Sequence, residues 1–255
     1  MRIDCAAQLV DRSRFAHAWL DCAPEPLQRD FTIGALSAIL SRNRFAGAVI
    51  VALLDHPPET DWLLRLAAEH PAMLAVMGYT DDPRDLDRWM THPRFRGVRR
   101  RWSPGSAPWL AEVAGRGLRC DLEVEPGDIQ RVEPLAGMAL AHTGGAGFRP
   151  EGFEAWARAI EKWPGMVKAD ALISGFGEGE WTGEAMRPWI GHLVRTLGPE
   201  RVMYGSDWPR CMRSGIWKES LAAFTQGHGA LAMEVRSLLL GENAARHYGI
   251  GGGSE

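Results

Sequence analysis

The chain has 255 residues, 45% of them hydrophobic and 24% charged, with a formal net charge of -3. These ordinary globular proportions exclude a disordered chain, a collagen-like fibre and a coiled-coil rod, and no apolar run approaches the ~18 residues that cross a bilayer. A near-neutral chain with scattered arginines lacks the basic footprint of a nucleic-acid binder, and Cys5, Cys22, Cys120 and Cys211 lack the CxxC spacing of a zinc site.

Strand-like and helical patterns then alternate along the chain. The first strand-like run, 2–10, contains the segment Asp4-Cys5-Ala6-Ala7-Gln8. Its flanks show neither the basic end nor the apolar centre of a signal peptide, so a soluble, cytoplasmic protein is expected. The runs at 46–53 and 72–79 are almost continuously apolar, as in strands covered on both faces. Between them Thr60 or Asp61 is placed to cap a helix DWLLRLAAEH that stops before Pro71. The run at 95–101 closes on three arginines. Strand alternation puts Arg99 and Arg101 on one face and Arg100 on the other. A run at 118–124 is separated from one at 138–143 by a stretch too short for a full helix, so that unit is abbreviated.

A helix opening near Pro150, where a missing N–H costs nothing, leads into a run at 166–174. A helix at 184–197 ends at Gly198-Pro199 and feeds the last run, 201–206. A final helix near 232–248 ends at Gly249, a left-handed cap, and 250–255 reads as a flexible tail. Eight strands alternating with helices in about 250 residues, with no linker to split them, predict a single α/β domain at 1–249: a (β/α)8 TIM-type barrel, slightly abbreviated. The alternative, a doubly wound sheet, announces itself with a GxGxxG turn after its first strand, and none follows Val10.

In such a barrel, reacting groups project from the C-terminal ends of the strands. Asp207 follows the eighth run and is either a reacting carboxylate or a loop and helix cap. His142 ends GMALAH before Gly144-Gly145, and is either an imidazole at the mouth or a ligand of a loop carbonyl. Arg99 and Arg101 offer planar forks for a carboxylate or oxyanion; Arg99 alternatively pairs with a barrel acid such as Asp121. Gln8 bonds either a substrate or the backbone. Trp102, Trp181 and Trp208 lie near strand ends, where they either stack on a ring substrate or pack in the core.

The segments IDCAAQL, HPRFRGVRR, the strand ending AHTGG, ISGFGEGEW, ERVMYGSDWP and NAARHYG, in this order, resemble the amidohydrolase-2 family. The similarity covers nearly the whole chain. It is strongest to the lactonase branch, which includes L-fuconolactonase-like proteins and 2-pyrone-4,6-dicarboxylate lactonase. The resemblance implies Asp207 as general base, His142 as a group that binds substrate or polarises its carbonyl, and Arg99 as a substrate ligand. It also matches Ser174 with Gly175, and Trp181, to substrate-side positions. The chain departs from the family where the first strand usually ends in His-x-His, a pair that in many members holds a metal. Those positions here are Ala6 and Gln8. The acid and the lysine around the strand-six histidine are replaced by Ala141 and Gly145, and Leu172 replaces a strand-seven lysine; Lys168 lies four residues earlier.

Alanine has no donor atom and glutamine is a poor zinc ligand, so no catalytic metal and no other cofactor is expected. An unaided aspartate must take its proton as water attacks, which favours a reactive carbonyl such as a lactone. The expected roles are then Asp207 as base, His142 and Arg99 at the carbonyl or a carboxylate, each contributing about 2–4 kcal/mol if well aimed, and Arg101, Gln8, Ser174, Trp181 and Trp208 as substrate contacts. The expected partner is a small molecule, an anionic one suiting the arginines, with oligomerisation left open. The alternative is a barrel that has lost catalysis and serves as a binding or structural protein.

Overall fold

The computed structural model describes residues 1–177 and 179–251. Of the expected tail at 250–255, residues 252–255 lie outside the described residues. Eight parallel strands, each paired with its neighbours in chain order, form one sheet: β1 (Ile3–Ala7), β2 (Gly47–Val51), β3 (Met73–Gly78), β4 (Phe95–Arg101), β5 (Arg119–Glu123), β6 (Met138–Leu140), β7 (Met166–Ala169) and β8 (Val202–Tyr204). Sequential order rules out the doubly wound sheet and gives the (β/α)8 barrel. The seam is closed just beyond β8: the Asp207 N–H donates to the Ala6 carbonyl (2.8 Å) and the Gln8 N–H to the Trp208 carbonyl (2.7 Å). Buried Asp4 reinforces it, accepting from the Ser206 N–H (2.8 Å) and the Trp217 indole (2.8 Å).

The apolar core has two parts, as strand alternation requires. Ile3, Cys5, Val49, Val51, Ala75, Met77, Ala139 and Met203 fill the strand ring, with Tyr248 closing its lower end. A larger shell, including Leu36, Trp89, Trp156, Ile160, Trp189 and Phe224, packs between strands and helices. Helices Ile33–Arg42, Pro57–Glu69, Pro83–Trp89, Ala107–Gly115, Phe153–Glu161, Gly183–Leu197 and Trp217–His228 cover the outside. None of the described helices is long and apolar enough to cross a membrane. The abbreviated unit lies where expected, with a short 3-10 turn at Pro126–Arg131 between β5 and β6.

Several predicted boundaries move. The helix placed after Thr60 begins at Pro57, because proline fits a first turn and needs no N–H partner there. The final helix is interrupted at Gly241, where a Cβ would sit 2.0 Å from the Met1 carbonyl oxygen, so the N-terminus packs against bare backbone. It resumes as Asn243–Tyr248 and ends at Gly249 in the left-handed conformation predicted for it. β6, β7 and β8 all stop earlier than their apolar runs. Beyond them His142 and Thr143, Ala171, and Asp207 adopt positive φ, and the chain turns away from the sheet.

Candidate active site

The site is built where those three strands end. Asp207, with φ 56, sits directly after β8 at the seam. Its Oδ1 accepts from the Gln8 side-chain amide at 2.9 Å, and its Oδ2 accepts from the Ser174 hydroxyl. A carboxylate only accepts, so the Gln8 nitrogen faces Asp207. The Gln8 Oε1 has no partner among the described residues. Gln8, Ser174 and Asp207, three residues expected in the site, are thus brought together from the ends of β1, β7 and β8. Both donors are neutral, and Asp207 is only 1% exposed.

His142 opens a left-handed turn after β6. His142 and Thr143 have φ of 52 and 53, and Gly144 and Gly145 have φ of 66 and 72. The glycines are required twice over, since a Cβ at either would meet a neighbouring atom at 2.5 Å. The two non-glycine residues cost about 1–2 kcal/mol each in this conformation. Offsetting that cost, the His142 N–H donates to Asp170 Oδ1 (2.7 Å), the Thr143 hydroxyl to the Asp170 carbonyl (2.8 Å), and the Trp156 indole to the Thr143 carbonyl (2.8 Å).

Asp170 was not expected in the site. It follows β7 and is 2% exposed. Burial pushes its carboxyl up to about 6, opposed by His142 and Lys168 and assisted by the negative charge of Asp207. The sequence did hold a signal: Lys168 and Asp170 are two charges at alternate positions in an otherwise apolar stretch, which places both on the barrel interior.

The arginines divide. Arg99 does reach the mouth, but its guanidinium is engaged by the Ala52 and Leu53 carbonyls and by Asp55 (2.6 Å), and lies over the Tyr79 ring. Its acidic partner is therefore Asp55 rather than Asp121, with Glu123 further away at 3.6 Å. Asp121 instead pairs with Lys168 (2.6 Å) deeper in the barrel. Buried Glu59 accepts from the Leu54 N–H (2.7 Å) beside Arg99, and desolvation pushes its carboxyl up to about 7. Arg101 is free of such ties, its side chain 84% exposed and 3.7 Å from Glu123.

Arg101, Trp102, Glu123, Asp128, His142 and Gly145 line a cavity of about 210 Å³ over the ends of β4, β5 and β6. Asp207 lies outside that lining. Another cavity of about 230 Å³, bounded by Leu9, Asp11, Arg14 and Trp62, touches none of these side chains. Trp208 packs edge-to-face on Phe31 (5.4 Å) in the outer shell, and Trp181 is half-buried against the same shell. Of the three candidate tryptophans, Trp102 lines the cavity, its ring carrying the Arg131 guanidinium at 5.0 Å.

Residues 134–250, which include His142, Asp170, Ser174 and Asp207, match the family model described as Amidohydrolase. Over 264 residues the chain is 23% identical to an L-fucono-1,5-lactonase of Burkholderia ambifaria, covering 91% of this chain and 90% of that one. The chain is thus similar to amidohydrolases, with lactonases among the proteins it resembles. Its fold is shared with an amidohydrolase from Burkholderia multivorans crystallised with zinc (TM-score 0.84, 21% identity, 98% and 99% of the two chains). It is shared too with an Acinetobacter baumannii protein described as a probable 2-pyrone-4,6-dicarboxylic acid hydrolase, with citric acid bound (TM-score 0.80, 15% identity, 98% and 99% coverage). In this chain, among the described residues, no three His, Cys, Asp or Glu side chains converge as a metal site requires. With Ala6 and an amide-donating Gln8 on the first strand, the donor set does not fit zinc.

Proposed function

We propose that the protein hydrolyses a lactone, with Asp207 as general base and no metal ion. The observation that carries this reading is the β8 carboxylate held on both oxygens by neutral donors, Gln8 and Ser174. Neutral donors orient the carboxylate without cancelling its charge, as a paired lysine or arginine would. Each oxygen keeps a second lone pair for a water proton. A water held there also finds an acceptor in the unpartnered Gln8 Oε1. As the water oxygen bonds to the lactone carbonyl carbon, its proton passes to Asp207. When the ring C–O bond breaks, that proton moves to the departing ring oxygen, giving the hydroxy acid and restoring the base. A lactone suits this site because its alkoxide stays tethered while the proton returns.

His142 lines the cavity beside the site and is the group that polarises the carbonyl, while Arg101, Trp102 and Glu123 meet the rest of the substrate. Arg99 acts by holding the loop after β2, since its hydrogen bonds are already committed. Because Asp207 is 1% exposed, substrate reaches it only when the side chains above it give way. That burial also favours a second reading, in which the barrel binds a ligand at the cavity and no longer turns it over. One experiment separates the two. A panel of sugar and aromatic lactones is incubated with the protein, with and without a chelator. Chelator-insensitive opening that falls by about 10²–10⁴ in Asp207→Asn supports catalysis by an unaided carboxylate. Stoichiometric zinc with chelator-sensitive turnover would overturn the metal-free mechanism. Ligand affinity retained in Asp207→Asn, with no lactone opened by the native chain, would favour the binding reading.

A further inference from the structure

The mechanism above leaves Asp170 unused, although it is a nearly inaccessible carboxylate at the end of β7 and the centre of a hydrogen-bonded cluster. It reaches the β6 turn through two different atoms. Its side chain receives the backbone N–H of His142, and its main-chain carbonyl receives the hydroxyl of Thr143. Those are the two non-glycine residues forced into the left-handed conformation. Such a conformation persists only where its surroundings over-determine it, and here the surroundings are Asp170 on one side and the Trp156 indole on the other. The titratable groups around Asp170 come from several elements: His142 after β6, Lys168 on β7, Asp207 after β8, and the neutral Cys5 on β1 and Tyr248 from the terminal helix. Lys168 is engaged by Asp121, so the hydrogen bond to Asp170 from the described residues comes from the turn itself.

We propose that Asp170 is the positioning residue of this site: its carboxylate locks the strained turn that carries the His142 imidazole to the cavity. Importance for turnover rests on the lactonase reading, but the lock itself does not. A charged acceptor holds an N–H more strongly than a neutral one, so the turn is held firmly when Asp170 is ionised and loosens when it takes up a proton. With the carboxyl pushed up to about 6, that change falls in an accessible range.

The Trp156 indole N–H reports on the turn, because it donates to the Thr143 carbonyl. In proton–nitrogen spectra of the full native chain, this resonance is expected to shift with a midpoint near pH 6, matching the Asp170 carboxyl. The shift should vanish in Asp170→Asn and persist in His142→Gln, which separates the carboxyl from the imidazole. In Asp170→Ala the indole N–H should exchange with solvent about tenfold faster or more. Asp170→Asn keeps an acceptor oxygen and the native shape, so it carries the test should the alanine variant not fold. A midpoint unchanged in Asp170→Asn, or one that disappears in His142→Gln, would overturn the proposal. On any lactone that the native enzyme opens, Asp170→Asn should lower kcat about tenfold or more with KM changed less than about twofold. The spectra need no substrate, so failure of the lactonase reading and failure of the lock are told apart.

Discussion

The barrel encloses acidic groups at two depths and treats them differently. In the lower layer, Asp121 is paired with Lys168 at 2.6 Å, both side chains 1% exposed, and its other oxygen accepts from the Tyr248 hydroxyl at 2.8 Å. Burial works to lower the pKa of the Lys168 ammonium, but Asp121, with smaller pulls from Cys5 and Asp170, carries it above the ordinary lysine value. At the mouth, Asp207 and Asp170 are as deeply buried, yet their hydrogen bonds come from an amide, a hydroxyl and a backbone N–H. The lower layer is neutral as a unit, and both Asp121 oxygens have a hydrogen-bond donor. The upper layer keeps negative charge without a partnered cation. A buried charge left unneutralised costs stability, and on the lactonase reading proposed above its retention at the strand-end mouth serves the reaction.

The largest expected effect falls on the lower layer. Lys168→Met leaves the Asp121 carboxylate buried without its cation, and unfolding in urea should show a loss of about 3–5 kcal/mol. Replacing Asp121 by leucine in the same chain should recover much of that loss, because an apolar pair of similar volume needs no compensation. If Lys168→Met were neutral, the contrast between a structural lower layer and a chemical upper layer would fail.

A smaller effect of opposite sign is expected at the mouth. The Asp170 carboxyl is raised from 3.8 to about 6, chiefly by burial. The folded protein therefore binds this proton more tightly than the unfolded chain does. The stability it contributes is fully present below about pH 4 and is lost as pH rises through about 6. Asp170→Asn removes that dependence. Compared by denaturation across pH, the variant should be more stable than the native chain by roughly 1–3 kcal/mol at pH 8. The two curves should draw together toward pH 4. A variant that is less stable at pH 8 would mean that the hydrogen bonds of the ionised carboxylate outweigh its desolvation.

The sequence conveys the lower layer and the mouth unequally. All eight strands follow from strand-like runs spaced by helical patterns, most directly at 46–53 and 72–79, where burial on both faces leaves a trace in residue type. Asp207, Gln8 and Ser174 were also legible, each as a polar residue near the end of an apolar run or in a family segment, and they meet. The strand ends were not legible. The strand-like runs read from the sequence extend to Thr143 and to Ser174, yet the chain turns left-handed at His142 and Ala171. A non-glycine residue in that conformation is held by tertiary hydrogen bonds, which residue type does not record. The inward placement of Asp170 was legible from its alternation with Lys168, but its hold on the β6 turn was not, since that depends on a turn contributed by another strand. The commitment of Arg99 to Ala52, Leu53 and Asp55 likewise depends on a contact some 45 residues away in sequence.

Arg101 provides the smallest and most discriminating perturbation. Its side chain is 84% exposed, and its nearest acid, Glu123, also lies 3.6 Å from Arg99. Removing the Arg101 charge therefore leaves Glu123 accompanied, and a surface ion pair at 3.7 Å contributes little. Arg101→Ala should change folding stability by less than about 0.5 kcal/mol. Its guanidinium nevertheless stands on the rim of the cavity that His142 lines. For a substrate bearing a carboxylate, loss of that planar donor should raise KM about tenfold with kcat nearly unchanged, the pattern of binding lost equally from ground and transition states. For a neutral sugar lactone neither constant should move. Steady-state kinetics on a matched pair of lactones, with and without a carboxylate, therefore reads substrate charge from one side chain. An unchanged KM on the charged member would assign recognition of the acid to another part of the mouth.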